Sequence, residues 1–237
     1  MLYHQRQVCL QRRAAAGGHH TNLAKSYEGE RMKLTIFGAS SASGKLLTEK
    51  ALQAGHVVTA FVRDASKLGL AHEKLTIMTG NALNPAHVEE AIQGSQAVLS
   101  VLGPKGKPMV MAAESTQNIV NAMQKQGIKR LVVVSVAGIA VPQDKRGFNL
   151  VSALLKFFLK DVFSDREKQL AVLETSSLEW VAARVPRLTD EAATGKVRAF
   201  FGNPSPSHKL TRGDLADFML AQLTETKWLR QAPIVSN

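Results

Sequence analysis

The stretch F-G-A-S-S-A-S-G-K, residues 37–45, decides how the rest of the chain is interpreted. It is a turn of small residues between a short apolar run, 32–37, and a segment with apolar residues at helical spacing, 46–54. A strand, a glycine turn and a helix N-terminus form a phosphate-binding arrangement, because the helix presents free N–H groups and the positive end of its dipole. The stretch therefore predicts a site for a phosphate group.

Two kinds of phosphate-binding loop differ in their glycine spacing. A nucleoside-triphosphate loop needs four residues between its glycines, then Lys and then Ser or Thr. Gly38 and Gly44 enclose five residues and Leu46 follows Lys45, so this loop is excluded. The same glycines are spaced as the first and third of the dinucleotide fingerprint, with Ser41 replacing the second, where a side chain is expected to crowd the pyrophosphate. The turn alone fits a dinucleotide site and a plain strand-to-helix connection about equally well.

The composition narrows the class of protein. The chain has 237 residues and 45% hydrophobic content, enough for one large domain. Cys9 is the single cysteine, and no apolar run is long enough to cross a bilayer, so we expect a cytoplasmic protein. The formal net charge of +11 suggests that the protein binds nucleic acid, but the basic residues are dispersed and aromatic residues make up only 5% of the chain. A solvated basic surface without specific nucleic-acid binding is favoured, and no metal-ligand spacing is present.

Residues 1–31 differ from the rest of the chain. They contain no acidic residue before Glu28 and no sustained apolar periodicity. We expect a disordered or non-native extension, with a natural start at Met32 as one explanation and a transit peptide as another. Residues 32–237 are expected to form the folded domain.

Apolar runs alternate with helical patterns after residue 55. Such alternation predicts a parallel sheet covered by helices on both faces. In such a sheet the ligand lies beyond the carboxyl ends of the strands, so the residues that follow each strand are the candidates for the site. The predicted strands are 56–63, 75–78, 97–102 and 131–135, and the predicted helices are 84–93 and 110–126.

Arg63 follows the second predicted strand and bears on the choice of cofactor. A dinucleotide with a free ribose 2′-hydroxyl usually meets an acidic residue here, whereas a 2′-phosphate calls for Arg. Val62 offers no carboxylate, and Lys67 adds a nearby cation. The pattern predicts NADP(H), with a surface ion pair between Arg63 and Asp64 as the alternative.

Several short motifs together carry a family resemblance. They are G-A-S-S-A-S-G, F-V-R-D-A-S-K-L, T-G-N-A-L-N-P and L-V-V-V-S, with R-V-P-R-L-T-D at 184–190 and L-T-R-G-D-L-A-D-F-M-L at 210–220. The chain, over about residues 32–224, resembles the NAD(P)H-binding, NmrA-like branch of the atypical short-chain dehydrogenases, which contains flavin reductase and biliverdin-IXβ reductase. The resemblance implies a single-domain α/β fold, a Rossmann-type doubly wound parallel sheet, with small substrate-side segments near 136–165 and 184–210.

The resemblance also implies roles for individual residues. The turn would hold the pyrophosphate, Arg63 with Lys67 the 2′-phosphate, and Asn81 with Ala82 the adenine. Gly103 would pass close to the ribose and pyrophosphate. Asn81 stands where the family usually has an acidic residue. The implied cofactor-binding residues are Gly38, Ser40, Ser41, Ala42, Ser43, Gly44, Arg63, Lys67, Asn81, Ala82, Gly103, Ser135 and Pro186, and the candidate catalytic residues are Ser135 and Arg187.

The tyrosines limit the chemistry. Main-branch short-chain dehydrogenases pair a Tyr with a Lys four residues on, but Tyr3 and Tyr27 both lie in the extension and neither has such a Lys. A nucleophile elbow is also absent. Acceptors that delocalise negative charge, or take their proton from solvent, need orientation more than a strong acid.

Two hypotheses follow from these residues. The first is an NADPH-dependent oxidoreductase that transfers hydride to a conjugated acceptor such as a flavin, quinone or tetrapyrrole. The second is a noncatalytic NADP(H)-sensing regulator that binds a protein partner, as Ser41, Asn81 and the missing Tyr suggest. The sequence leaves open whether the protein is a monomer or a dimer.

The remaining polar candidates have two interpretations each. Ser135 could bind the nicotinamide carboxamide or the acceptor, or only cap the next segment. Arg187 could stabilise developing negative charge or form a surface ion pair. The segment 147–163 predicts a helix with a wide apolar arc. The arc is interpreted first as core packing, next as a cover of the acceptor site or an oligomer contact, and last as a membrane-surface contact. Asp165, Arg166 and Lys168 are interpreted as solvated charges.

Overall fold

The computed structural model describes residues 30–103, 111–144, 159–202 and 208–237. In these ranges it contains an eight-stranded sheet, a two-stranded sheet and five α-helices. The strands are β1 (Lys33–Phe37), β2 (Val57–Val62), β3 (Leu75–Thr79), β4 (Ala97–Ser100), β5 (Arg130–Val136), β6 (Glu179–Val185), β7 (Arg187–Thr189), β8 (Arg198–Phe200), β9 (Lys209–Thr211) and β10 (Ile234–Ser236), and the helices are α1 (Ala42–Gln53), α2 (Pro85–Ala91), α3 (Ala112–Gln126), α4 (Lys160–Thr175) and α5 (Arg212–Ala221).

The main sheet has the order β3-β2-β1-β4-β5-β6-β10-β8. All neighbouring strands are parallel except β8, which runs antiparallel to β10 at the edge. The order 3-2-1-4-5-6 is that of a Rossmann fold, in which the chain reverses direction across the sheet between β1 and β4. The predicted parallel, doubly wound sheet is confirmed. β7 and β9 form the separate parallel pair.

Two hydrophobic cores cover the faces of the sheet. On one face α1 packs against α5, with Leu47 and Leu215 among the buried residues. On the other face α3 packs against α2 and α4, with Ile119 and Leu173 fully buried. The central strands are buried on both sides, which explains their near-continuous apolar sequences.

Most predicted boundaries agree with the structure within two residues. The exception is α1, which begins at Ala42 instead of residue 46 because Ser41 caps it earlier. The predicted extension lies outside the described residues except for 30 and 31, and most of the predicted helix at 147–163 lies outside them too. None of the helices in the described ranges combines the length and apolar character that a bilayer crossing requires.

Candidate functional site

The turn between β1 and α1 is packed so tightly that it requires its two glycines. Gly38 has φ +80°, a left-handed conformation that favours glycine. A Cβ there would lie 3.2 Å from backbone atoms of Val101 and Leu102. A Cβ on Gly44 would lie 2.2 Å from the Gly38 carbonyl oxygen and 2.7 Å from Ala39 Cα. The α1 N-terminus is therefore pressed against the carboxyl end of β1.

Ser41 holds the same turn together as the N-cap of α1. Its hydroxyl accepts a hydrogen bond from the Gly44 N–H at 3.0 Å and donates to the Gly38 carbonyl at 2.8 Å. The N–H groups of Ala42 and Ser43 have no hydrogen-bond partner among the described residues. Two free donors thus lie at the positive end of the helix dipole, which is the arrangement that binds a pyrophosphate.

Two cavities meet over the carboxyl ends of the strands, and their walls share Ser41, Val101, Leu102 and Gly103. They lie at the junction of β1 and β4, where folds of this topology bind dinucleotides. The smaller cavity, which we call the arm, has a volume of about 80 Å³ and the larger, the chamber, about 420 Å³. The arm is also lined by Phe61, Arg63, Asn81, Ala82 and Met111, and the chamber by Ser135, Arg166, Leu188, Arg212 and Leu215.

Most of the predicted site residues lie on these walls. Gly44 lies behind the turn, and Lys67, Pro186 and Arg187 are not part of the wall of either cavity. Arg187 is exposed at the start of β7, so its proposed role in catalysis stays a prediction. The wall residues are Gly38, Ser40, Arg63, Asn81 and Ala82 in the arm, Ala42, Ser43 and Ser135 in the chamber, and Ser41 and Gly103 in both.

The acid next to Arg63 is engaged elsewhere. The Asp64 carboxylate accepts hydrogen bonds from the Ser66 hydroxyl at 2.6 Å and the Ser66 N–H at 3.1 Å, and pairs with Lys67 at 3.2 Å. The hydrogen bonds from Ser66 and Lys67 lower the pKa of Asp64. No ion pair of Arg63 is found in the part of the chain that the structure describes. The Arg63 guanidinium therefore lies at the arm without an ion-pair partner among the described residues, and the alternative pair with Asp64 is not formed.

Asp165 is buried, so its interpretation as a solvated charge is wrong. Its carboxylate accepts hydrogen bonds from three N–H groups at the start of α3, those of Met111 at 3.1 Å, Ala112 at 2.7 Å and Ala113 at 3.0 Å. These bonds satisfy donors that a helix start leaves free. Lys168 is exposed, as expected.

Arg166 is also buried, with 3% of its surface exposed, and the interpretation as a solvated charge is wrong here too. Its Nη1 donates to the Val134 carbonyl and to Gln169 Oε1, both at 3.0 Å, and its Nη2 donates to the Leu102 carbonyl at 2.9 Å. Burial lowers the pKa of Arg166 to about 10, partly opposed by the charge of Asp165. The guanidinium therefore stays charged at neutral pH in the chamber wall.

Helical spacing could have revealed Arg166 in the sequence. Phe163, Leu170 and Leu173 form a buried stripe along α4, and position 166 lies on the same face. The run of charged residues D-R-E-K, 165–168, indicates a solvated face instead, so the helical spacing of residue 166 with the apolar stripe is easily overlooked.

Ser135 lies in the chamber wall with 2% of its surface exposed. Its hydroxyl has no hydrogen-bond partner among the described residues, so it does not cap a described segment. A buried polar group without a partner is uncommon and calls for an explanation. Ser135 thus brings a buried, unsatisfied hydroxyl to the carboxyl end of β5, beside the chamber.

A comparison with known families decides the assignment. A family model described as NAD(P)H-binding matches residues 38–226. The chain belongs to this NAD(P)H-binding family. The match confirms the predicted family and the NAD(P)H class of cofactor, and both cavities lie within its range.

Solved structures and a curated relative extend the comparison of this NAD(P)H-binding chain. A short-chain dehydrogenase/reductase from Veillonella parvula in complex with NADP is 18% identical, with a TM-score of 0.71 over 88% of this chain and 95% of that one. ChuY, an anaerobilin reductase from Escherichia coli O157:H7, is 21% identical, with a TM-score of 0.70 over 86% and 96%. Photosystem II assembly factor Ycf39 from Synechocystis sp. is 26% identical over 110 residues, 44% of this chain. This match spans about a third, 34%, of the length of Ycf39.

Proposed function

We propose that the protein is an oxidoreductase that transfers hydride from NADPH to a conjugated acceptor, such as a flavin, quinone or tetrapyrrole. The observation that carries this proposal is the chemistry of the chamber wall. Its described residues supply apolar groups, backbone, three serines (Ser41, Ser43 and Ser135) and two arginines (Arg166 and Arg212), but no Tyr, His, Asp or Glu. Such a wall orients a flat acceptor, and its described residues offer no strong proton donor.

The cofactor fits the free groups of the site. The unpaired N–H groups of Ala42 and Ser43 would hold the pyrophosphate, and Arg63 the 2′-phosphate. Asn81 would lie at the adenine, and the unsatisfied hydroxyl of Ser135 would bond the nicotinamide carboxamide or the acceptor. When bound, NADPH supplies the hydride.

The volume of the chamber and the lack of an acid in its described wall favour a conjugated acceptor. A chamber of about 420 Å³ is within the range of small-molecule sites. Because the described wall lacks an acid, the proton that completes the reduction comes from solvent, which a charge-delocalising acceptor tolerates. The fold also supports reductase chemistry elsewhere, since ChuY is named an anaerobilin reductase.

Turnover of an acceptor panel tests this proposal. NADPH oxidation is measured with flavins, quinones and a linear tetrapyrrole, and we expect turnover of at least one of them. The rate should lack a steep pH limb between about pH 5.5 and 9, because no enzymic acid is essential. Binding of NADPH without turnover of any acceptor would instead support the noncatalytic NADP(H) sensor with a protein partner, and absence of NADPH binding would contradict both.

Arg63→Ala is expected to narrow the preference for NADPH over NADH by about tenfold or more, because a charge-assisted contact to phosphate contributes about 1.5–3 kcal/mol. Equilibrium titration of each cofactor measures the effect. Lys67→Ala is the comparison variant: Lys67 is also predicted to meet the 2′-phosphate, but it pairs with Asp64 and is not part of the arm wall, so its effect should be smaller than that of Arg63→Ala. Equal affinity of the unmodified protein for the two cofactors would overturn the assignment of Arg63.

A further inference from the structure

Resting on the proposed function, we infer that Arg166 faces the negative charge that the acceptor gains during reduction. The substrate class is then narrowed to planar acceptors, such as quinones and flavins, that become anions when they accept hydride. Arg166 would be a catalytic residue of this reaction, and it is absent from the roles that the sequence implies.

Arg166 carries a buried charge without a carboxylate partner. Its described hydrogen-bond acceptors are two carbonyls and the amide oxygen of Gln169, all neutral. The adjacent Asp165 uses both carboxylate oxygens on the α3 N–H groups and forms no ion pair with Arg166 in the described ranges. The nearby charge of Asp165 compensates the Arg166 charge only in part, and a buried guanidinium without a carboxylate hydrogen-bonded to it calls for an explanation beyond packing.

A second buried arginine of this protein, Arg184, differs from Arg166 because it has a carboxylate partner. Arg184 is fully buried, and its Nη1 and Nη2 donate to the two carboxylate oxygens of Asp144 at 2.6 and 2.8 Å. It also donates to the carbonyls of Ile139 and Ala232, each at 2.6 Å. Arg184 lines neither the arm nor the chamber, and its charge is neutralised. Of the two, the guanidinium without a hydrogen-bonded carboxylate among the described residues is Arg166, in the chamber wall.

Arg166 also has donors left over. Its hydrogen bonds use both N–H groups of Nη1 and one of Nη2, which leaves the Nε–H and one Nη2–H without a partner among the described residues. The Leu102 and Val134 carbonyls fix the guanidinium between the ends of β4 and β5. A rigid cation with two free donors is preorganised for an anion.

The other polar groups of the described chamber wall also favour an anionic ligand. The unsatisfied hydroxyl of Ser135 lies next along β5 to Val134, which accepts from Arg166. Arg212 is the other wall cation, but its Nη1 pairs with Asp190 at 2.7 Å. No carboxylate belongs to the described chamber wall. Arg166 is therefore the cation of the described chamber wall that forms no ion pair and can meet a ligand.

The reaction places negative charge in this chamber. A neutral quinone that accepts hydride gains one hydrogen and two electrons, while the nicotinamide of NADPH loses them and becomes a cation. The reduced acceptor is a monoanion until it takes a proton from water. A fixed cation that is itself buried, as Arg166 is, stabilises such a developing charge more strongly than a cation surrounded by water.

Equilibrium binding tests the charge preference without turnover. Benzoate is a planar anion and benzamide is its neutral counterpart, and each is titrated calorimetrically into the protein saturated with NADP⁺, which occupies the phosphate sites. We expect benzoate to bind at least about tenfold more tightly than benzamide, as a charge-assisted hydrogen bond requires. Because the nicotinamide of NADP⁺ is also a cation, Arg166→Met should reduce this preference at least severalfold without abolishing it, and Arg166→Lys should retain more of it than Arg166→Met. Arg212→Met, the matched control, should retain most of it.

Kinetics with quinones tests the catalytic role. Arg166→Met should lower kcat at least about tenfold and leave the affinity for NADPH within about threefold, because the lost interaction forms in the transition state. The loss should be largest for quinones whose hydroquinones are the weakest acids, and Arg166→Lys should partly restore kcat. A purely structural role would lower kcat equally for all quinones, and a role in holding NADPH would lower its affinity in parallel with kcat.

The outcomes separate this inference from the proposed function. Equal affinity of the unmodified protein for benzoate and benzamide overturns the role of Arg166 even if quinones are reduced, and this comparison stands if Arg166→Met fails to fold. A benzoate preference that depends on Arg166, without turnover of any acceptor, overturns the oxidoreductase and the catalytic role together.

Discussion

Replacing Gly44 by alanine is expected to lower the free energy of unfolding by about 3 kcal/mol or more, at the upper end of the range for overpacking. The new Cβ would lie 2.2 Å from the Gly38 carbonyl oxygen and less than 3 Å from two backbone atoms of Ala39. These atoms belong to the turn itself, so no side-chain rotation relieves the contact. Urea denaturation measures the loss of stability.

The same substitution should weaken NADPH binding by about 100-fold, because a displacement of the α1 N-terminus by about 1 Å misplaces its free N–H groups. Fluorescence titration measures the affinity. For stability the matched control is Gly103→Ala, since a Cβ there has no described residue within 4 Å apart from its chain neighbours. Unchanged stability and affinity in Gly44→Ala would show that the close packing of this turn is not required.

Arg184→Met is expected to destabilise the protein by about 3–5 kcal/mol, the cost of breaking a buried ion pair by removing one partner. The variant leaves the Asp144 carboxylate and the carbonyls of Ile139 and Ala232 without their donor. Asp144 also accepts from the Gly202 N–H at 3.0 Å, so the pair connects β6 with the end of the β8 segment. Thermal and urea denaturation measure the loss.

Lys209→Met is the control for this pair. Lys209 pairs with Glu191, but both side chains are about half exposed, so the loss should stay below about 1 kcal/mol.

The stability contributed by the Arg184–Asp144 pair should depend on pH. Burial raises the pKa of Asp144, but hydrogen bonds from Arg184, Gly202 and Val141 outweigh this effect, and the net pKa is lowered. The stabilisation by the Asp144 carboxylate is present above about pH 4 and is lost as the pH falls through the lowered pKa. If the loss of unfolding free energy caused by Arg184→Met is the same in acid as at neutral pH, the Asp144 ion pair is not its source.

The sequence predicted the parts of the site that depend on local chain geometry. The turn after β1 and the position of Arg63 follow from strand, glycine and helix signals within a few residues of one another. Asp165 and Arg166 were misinterpreted because their burial depends on the packing of α4 against α3, about fifty residues away in the chain. The predicted role of Lys67 at the 2′-phosphate stays a prediction, and in the structure Lys67 pairs with Asp64, three residues before it in the local turn.

The position of β10 has a consequence for synthesis on the ribosome. β10 lies between β6 and β8, and the backbone N–H of Arg184 in β6 donates to the Pro233 carbonyl just before it. β8 is translated first, yet it cannot join the sheet until residues 234–236 emerge, because its described partner is β10. During translation β6 is therefore an open sheet edge, the kind of surface that pairs with other nascent chains. This nascent form has a risk of aggregation that the finished fold removes when β10 covers the edge.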